Sequence, residues 1–351
     1  MTDSAERPAL SVVVPVYNEE GNVDALFAEI SRVAAGLGQP YEVVFVNDGS
    51  TDATLARLCA LAAEDAHLRI VDLDGNFGEA AALSAGFAHA RGAVVVTLDG
   101  DGQNDPGDIP RLLAALERPD VDVASGRRLA REEPFFSRVL PSKVANWLIA
   151  RATGVPVYDC GCGLKAYRRE LLAGVQLPRG MNRFLPAILG VDGGRVVEVP
   201  TRDRPRASGA SHYGLSRLFV VLRDLPSLPF LVRRPGPGPE LVRTLGAAGA
   251  LAGVASVIAL AGAVLRPAAR LPLGLTAALA AVLAAVAFAI RHNVHRFARA
   301  RAAGVFRVRR VLDHENVPAE HRRRRGGLLG EEPAPDLRAP ADGPRHASLR
   351  P

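Results

Sequence analysis

Sulfur and tryptophan are scarce in this chain: 351 residues include three cysteines, two methionines and one tryptophan. Cys59, Cys160 and Cys162 are too few for a disulfide framework, and Cys160-Gly161-Cys162 lacks a second pair at zinc-ligand spacing. That pattern points to a reducing compartment and away from a structural zinc. No secretion signal is expected in the first residues, because the apolar run Ser11 to Val16 is broken by Pro15 and followed by Glu19 and Glu20. The net charge of +6 is no general basicity, since much of the arginine excess lies after Arg291. Nucleic acid is therefore not an implied partner. What remains is long enough for one large α/β domain and something smaller.

Four short β-branched runs, Leu10 to Val16, Tyr41 to Val46, Leu68 to Leu73 and Ala93 to Leu98, alternate with Ala- and Leu-rich stretches of helical period. Strands so continuously apolar are buried on both faces, which predicts a mainly parallel, Rossmann-like sheet with helices on both sides. Each run ends in a polar, turn-forming cluster: residues 18–21, 47–50, 72–78 and 99–102. In open α/β sheets ligands bind at the carboxyl ends of strands, so the four clusters are expected on one rim.

The texture changes after Thr201. Leu215 to Val232 reads as amphipathic helix at a membrane surface or, equally, as packed soluble helix. Pro235 to Pro239 reads as a linker. Two uncharged stretches follow, Thr244 to Leu265 and Leu271 to Ile290, each near the roughly 20 residues that span a bilayer. They predict a transmembrane hairpin, with Gly249 and Gly253 allowing close helix approach. Buried Ala-rich helices are the alternative. The intervening loop holds Arg266 and Arg270, whereas Arg291, Arg296, Arg299, Arg301, Arg307, Arg309 and Arg310 follow the second stretch, which predicts cytoplasmic termini in a multi-pass inner-membrane protein. The expected organisation is an extension (1–9), a catalytic domain (10–214), interfacial helices with linker (215–243), the hairpin (244–290) and a basic tail (291–351) that is partly disordered, from Pro318 onward.

The strongest chemical signal is Asp99-Gly100-Asp101-Gly102-Gln103-Asn104-Asp105-Pro106, directly after a strand. Two carboxylates and a side-chain amide in one turn offer the hard oxygen ligands that Mg²⁺ or Mn²⁺ takes while also binding substrate phosphates. An ordinary Asp/Gly turn would look the same in isolation. Asn47 to Asp52 also follows a strand, and Ser50 or Asp52 there suits helix capping. Asp48 precedes the turn and reads as free to accept from a base or ribose donor, while Tyr17 could flank a nucleobase.

Together PVYNEEGNV, FVNDGSTD, GNFGEAAALSAGFAHARG, LDGDGQNDPGDIP, GRR, LPSKVANWL, DCGCGLKAYRREL, MNRFLPA and SHYGLSRL resemble glycosyltransferase family 2, over about Leu10 to Phe230. They are similar to the branch holding dolichyl-phosphate mannose synthase and bacterial polyprenyl-phosphate glycosyltransferases. The resemblance implies a GT-A fold and inverting transfer of a hexose from a nucleotide-sugar, UDP-glucose-like or GDP-mannose, to a polyprenyl phosphate at the bilayer. It implies that Pro15, Tyr17, Glu19, Asp48, Asn76, Gly78 and Asp99 hold the nucleotide-sugar. Asp99, Asp101 and Gln103 would hold Mg²⁺ or Mn²⁺, and Arg127, Arg138 and Ser142 would grip the acceptor phosphate as catalytic residues with Asp99 and Asp101. Homo-oligomerisation is left open.

Two departures stand out: Glu79 and His212 occupy positions where relatives usually carry Lys. The QxxRW signature of processive synthases is missing, since Trp147 follows Asn146 with no Gln-x-x-Arg before it. A family 2 transferase with another glycan acceptor, and a non-catalytic membrane scaffold with a degenerate transferase domain, are the rival readings.

Overall fold

The computed structural model of the chain describes residues 7–128, 146–147, 149–151, 154–155, 159–204, 224, 239–265 and 270–318. Its centre is an eight-stranded sheet. The strands are β1 (Leu10–Val16), β2 (Tyr41–Asn47), β3 (Leu68–Leu73), β4 (Val94–Thr97), β5 (Val123–Arg128), β6 (Lys165–Arg168), β7 (Val196–Thr201) and β8 (Val308–Leu312). Their order is β7-β5-β6-β4-β1-β2-β3-β8. β1 runs parallel to β2 and β4, β2 to β3, and β5 to β7, whereas β6 and β8 are antiparallel to their neighbours.

The reason is visible in β1. Every residue of LSVVVPV is buried, and alternate side chains go to opposite layers. Val12 and Val14 join one core with Val43, Phe45 and Ile70, under α1 (Val23–Ala35), α2 (Thr54–Glu64) and α4 (Ile109–Leu116). Val13 joins the other with Val44, Val46 and Val95, under α3 (Glu79–His89) and α5 (Leu185–Ile188). The expected mainly parallel sheet with helices on both sides is present, and its parallel strands all end on one rim.

Two long helices follow, α6 (Pro239–Leu265) and α7 (Arg270–Ala303), both long and apolar enough to cross a membrane. Leu251, Val257, Ile258, Leu265 and Phe288 are each at least 66% exposed, an apolar surface of a kind soluble chains seldom leave uncovered. Where the helices meet, a Cβ on Gly249 would stand 3.0 Å from the Ala287 Cβ, while Gly253 has nothing within 4 Å, so only the first glycine of the pair serves the contact.

The sequence-derived boundaries need correction at both ends of this hairpin. α6 begins at Pro239, inside the expected linker, and α7 continues beyond Ile290 to Ala303. Ile290 and Val294 continue the apolar face of α7 into the α3-side core, with Phe297 packed against it. Further on, Val308–Leu312 is no free tail but the edge strand of the catalytic sheet, paired with β3. A domain ending at residue 214 therefore closes too early. The expected interfacial helices lie almost wholly outside the described residues.

Candidate active site

The rim is built from strand ends. β4 delivers Asp99, and the turn after it is fixed by its own side chains. Asn104 Oδ1 accepts from the Asp99 amide at 3.1 Å, and Asp101 Oδ1 accepts from the Gln103 amide at 3.1 Å. Gly102 takes φ +72, a left-handed conformation that glycine adopts without strain. Arg204 clamps the turn from outside, its amide donating to the Gln103 carbonyl at 2.8 Å and its NH2 to Asp105 Oδ1 at 2.8 Å. Asp99, Asp101 and Gln103 all remain partly exposed on this rim.

Asp99 is pressed from behind by Gly163: a Cβ there would run into the Asp99 carboxylate. Burial, and next the negative charges of Glu79 and Asp101, push the Asp99 carboxyl up to about 8, against the pull of Lys165 and Arg128. Lys165 is buried at the start of β6, its Nζ donating to the carbonyls of Cys160 and Cys162. Arg128, at the end of β5, forms a forked pair with Asp159 and lies 3.7 Å from Asp203. Burial lowers the Arg128 pKa, but the hydrogen bonds and charge of Asp159 raise it by more.

On the other flank, β1 delivers Pro15, buried, and Tyr17, 44% exposed. Glu19 donates its amide to Thr54 Oγ1 at 2.9 Å and accepts from Asn22 Nδ2 at 2.5 Å. Asn18, at φ +56, accepts through Oδ1 from the Thr51 amide at 2.8 Å and so staples this loop to the one after β2.

Asp48 is not the free acceptor expected from sequence. Only 3% exposed, it accepts from the Phe77 amide at 2.7 Å and the Gly78 amide at 2.8 Å, because the turn before α3 leaves those amides without backbone partners. Burial raises its pKa, while those two bonds and Arg179 oppose the shift. Its geometry supports the loop of Asn76 and Gly78. Arg179 closes that loop, donating to Asn76 Oδ1 at 3.0 Å, and Asn182 donates to Glu79 at 2.6 Å.

The structure thus brings Pro15, Tyr17, Glu19, Asp48, Asn76, Gly78, Asp99, Asp101, Gln103 and the exposed Arg127 to one rim. Arg138, Ser142 and His212 lie outside the described residues. Asn47, Asp72, Arg128, Asp159, Lys165 and Arg179 were missed. Arg128 adjoins Arg127 in the GRR motif and Lys165 ends DCGCGLK, so a signal existed for both. Asp72 opens the 72–78 cluster, but nothing local marks its ion pairing or Arg179, whose partners are distant in sequence.

An eight-stranded, mainly parallel sheet with an acidic turn at the end of β4 has the layout of the GT-A fold. Residues 11–175 match glycosyl transferase family 2. The chain is 42% identical over 240 residues to dodecaprenyl-phosphate galacturonate synthase of Rhizobium johnstonii, covering 67% of this chain and 71% of that protein. It is 35% identical over 226 residues to undecaprenyl-phosphate 4-deoxy-4-formamido-L-arabinose transferase of Salmonella paratyphi B, covering 64% and 68%. The chain belongs to glycosyltransferase family 2. Two solved structures share its fold at a TM-score of 0.50. One is glucosyl-3-phosphoglycerate synthase of Mycobacterium tuberculosis in complex with Mn²⁺, UDP-glucose and phosphoglyceric acid, with 22% identity over 67% of this chain and 82% of that one. The other is mannosyl-3-phosphoglycerate synthase of Rubrobacter xylanophilus, with 19% identity over 67% and 80%.

Proposed function

We propose that this glycosyltransferase moves a sugar from a nucleotide-sugar onto a polyprenyl phosphate, with inversion at the anomeric carbon, at the cytoplasmic face of a bilayer that α6 and α7 cross. The observation that carries the reading is that the transferase rim and the apolar hairpin are joined: Ile290 and Val294 of α7 pack into the core that also holds Val13 and Val95 beneath the rim. A soluble transferase acting on protein or free glycan would not need such an anchor. Both flanks of the hairpin enter one sheet, which supports an even number of crossings, and the arginines that follow the second apolar stretch support a cytoplasmic side for those ends. Both relatives are named for a polyprenyl phosphate.

The donor would lie along the strand ends, its nucleoside against Tyr17 and the loops of Glu19 and Asp48, its diphosphate towards Asp99 and Asp101. Burial first and the nearby negative charges of Glu79 and Asp101 next raise Asp99, and that excess of negative charge fits a divalent cation, for which Asp99, Asp101 and Gln103 would supply oxygen ligands and the diphosphate the rest. Mg²⁺ or Mn²⁺ there would stabilise charge on the departing nucleoside diphosphate. A lipid phosphate, with its second pKa near about 6, is already ionised and needs no strong base. Its oxygen attacks the anomeric carbon as the bond to the diphosphate breaks. Arg127, with Arg138 and Ser142, would hold that phosphate in line, guanidinium groups matching phosphate geometry. UDP-glucose and GDP-mannose are the donors implied by sequence. The galacturonate and formamido-arabinose in the relatives' names widen the set, and a UDP-linked uronic acid becomes the first donor to test.

The experiment incubates purified protein with polyprenyl phosphate, Mn²⁺ or Mg²⁺ and radiolabelled UDP-uronic acid, UDP-glucose and GDP-mannose, followed by lipid extraction. Label in the lipid phase that acid releases as free sugar is expected. Transfer only to a water-soluble acceptor, or to none, overturns the reading.

A further inference from the structure

Asp72 is a carboxylate with no exposure, at the end of β3, and its cationic partners among the described residues come from the strand that follows the hairpin. Arg310 stands opposite Asp72 in the β3–β8 register, and its Nε donates to Asp72 Oδ2 at 3.1 Å. Arg309 lies 3.6 Å from the same oxygen. The other oxygen accepts from Asn47 Nδ2 at 2.8 Å. Asn47 is the last residue of β2, and its Oδ1 accepts from the Ser50 amide at 3.3 Å, which closes the turn containing Asp48 and Gly49.

That turn touches both neighbouring loops. Ser50 Oγ accepts from the Asn18 amide at 3.0 Å. Gly49, at φ +70, lies so close to the chain at Gly75 that a Cβ would come within 2.5 Å of the Gly75 carbonyl carbon. Asp48 holds the Phe77 and Gly78 amides. A bonded path therefore leads from β8 through Asp72 and Asn47 to all three loops at the β1, β2 and β3 ends. Burying Asp72 is tolerable only while its charge is compensated, and that same charge fixes which way the Asn47 amide points.

We infer that Arg310, acting through Asp72 and Asn47, is a positioning residue for the donor-binding loops, so that the strand after the hairpin sets the affinity for the nucleotide. The inference rests on the assignment of these loops to the donor. A neutral side chain at position 72 no longer needs a cation but can still accept from Asn47, which gives the path a test by rescue.

The experiment uses detergent-purified full-length protein with UDP and GDP plus Mn²⁺ as probes, and reads nucleotide Kd, KM for polyprenyl phosphate and hydrogen exchange at residues 47–52. Arg310→Ala is expected to weaken nucleotide binding about tenfold, change the lipid KM less than about twofold and speed exchange in the turn, with Arg309→Ala/Arg310→Ala stronger. Arg310→Lys should keep most of the affinity. Adding Asp72→Asn to Arg310→Ala should return the Kd to within about threefold of the parent. Equal losses for nucleotide and lipid, unchanged exchange at 47–52, or no recovery in the double variant would overturn the inference. If the parent protein binds neither nucleotide, the donor assignment fails; exchange at 47–52 still decides the coupling, faster exchange confined to the turn supporting it.

Discussion

Arg128 and Asp159 meet in a forked ion pair, Nε to Oδ2 at 2.7 Å and NH2 to Oδ1 at 2.9 Å, with the Arg128 amide adding a third bond at 3.3 Å. The pair ties the end of β5, where Arg127 projects, to the Cys160-Gly161-Cys162 turn that leads to Gly163 behind Asp99. Asp159→Asn keeps the shape but removes the charge from a pair that is mostly buried, and should cost about 2 kcal/mol of stability. Thermal unfolding of Asp159→Asn, Arg128→Gln and the double variant measures the coupling. Additive losses would show that the fork contributes nothing of its own.

Gly163→Ala tests whether the place of Asp99 matters. The added methyl would displace the carboxylate, so Mn²⁺-dependent nucleotide binding should fall about tenfold or more while the chain stays folded, overpacking costing about 1–3 kcal/mol. Asp101→Asn, which keeps shape and weakens a ligand, should abolish transfer without displacing anything. Full activity in either variant, titrated against Mn²⁺, contradicts the assignment of this turn to the cation.

The Asp99 carboxyl gives a pH prediction for metal-free protein. Its folded pKa, about 8, lies above the ordinary carboxyl value, so between roughly pH 4 and 8 the folded state holds a proton that the unfolded state has released. Stability from this group therefore falls as pH rises through that window and levels off above it. Asp99→Asn carries no such penalty. In EDTA its Tm advantage over the parent should grow from pH 5 to pH 8 and then stay flat. An advantage independent of pH would mean that the carboxyl titrates normally.

At the acceptor side, Arg138→Ala should raise the KM for polyprenyl phosphate or lower kcat, at a cost of roughly 1.5–3 kcal/mol, with nucleotide affinity nearly unchanged. Arg127→Ala should behave alike. Lysine should rescue only partly, as it keeps the charge but loses the fork. Equal damage to nucleotide binding would move these arginines to the donor site or to the fold.

Topology has its own check. A reporter fused after Pro351 should be cytoplasmic and one inserted at residues 267–269 external, because Arg266 and Arg270 face the longer arginine series from Arg291 to Arg310. An external C-terminus would contradict both the hairpin and the pairing of β8 with β3.

The first four strands were legible because burial on both faces leaves an unbroken apolar run, as in LSVVVPV. The acidic turn was legible because Asp99, Asp101 and Gln103 lie within five residues directly after a strand. β6 escaped notice because four residues, KAYR, carry no periodicity, and β8 because VRRVL reads as a basic segment. Its arginines answer Asp72, 238 residues earlier for Arg310, and no local pattern reports so distant a charge. Asp48 misled for a related reason: its type and place suit a ligand contact, and the amides that occupy it belong to a loop some 30 residues on.

The late position of β8 also governs how the protein is made. As the chain leaves the ribosome, β1 to β7 emerge before either apolar helix, and the sheet then has an open edge at β3 with the charge of Asp72 uncovered. That edge closes only after α6 and α7 have been synthesised and the strand behind them has paired with β3. Until β8 is made, the catalytic sheet keeps an exposed strand edge of the kind that quality-control machinery binds.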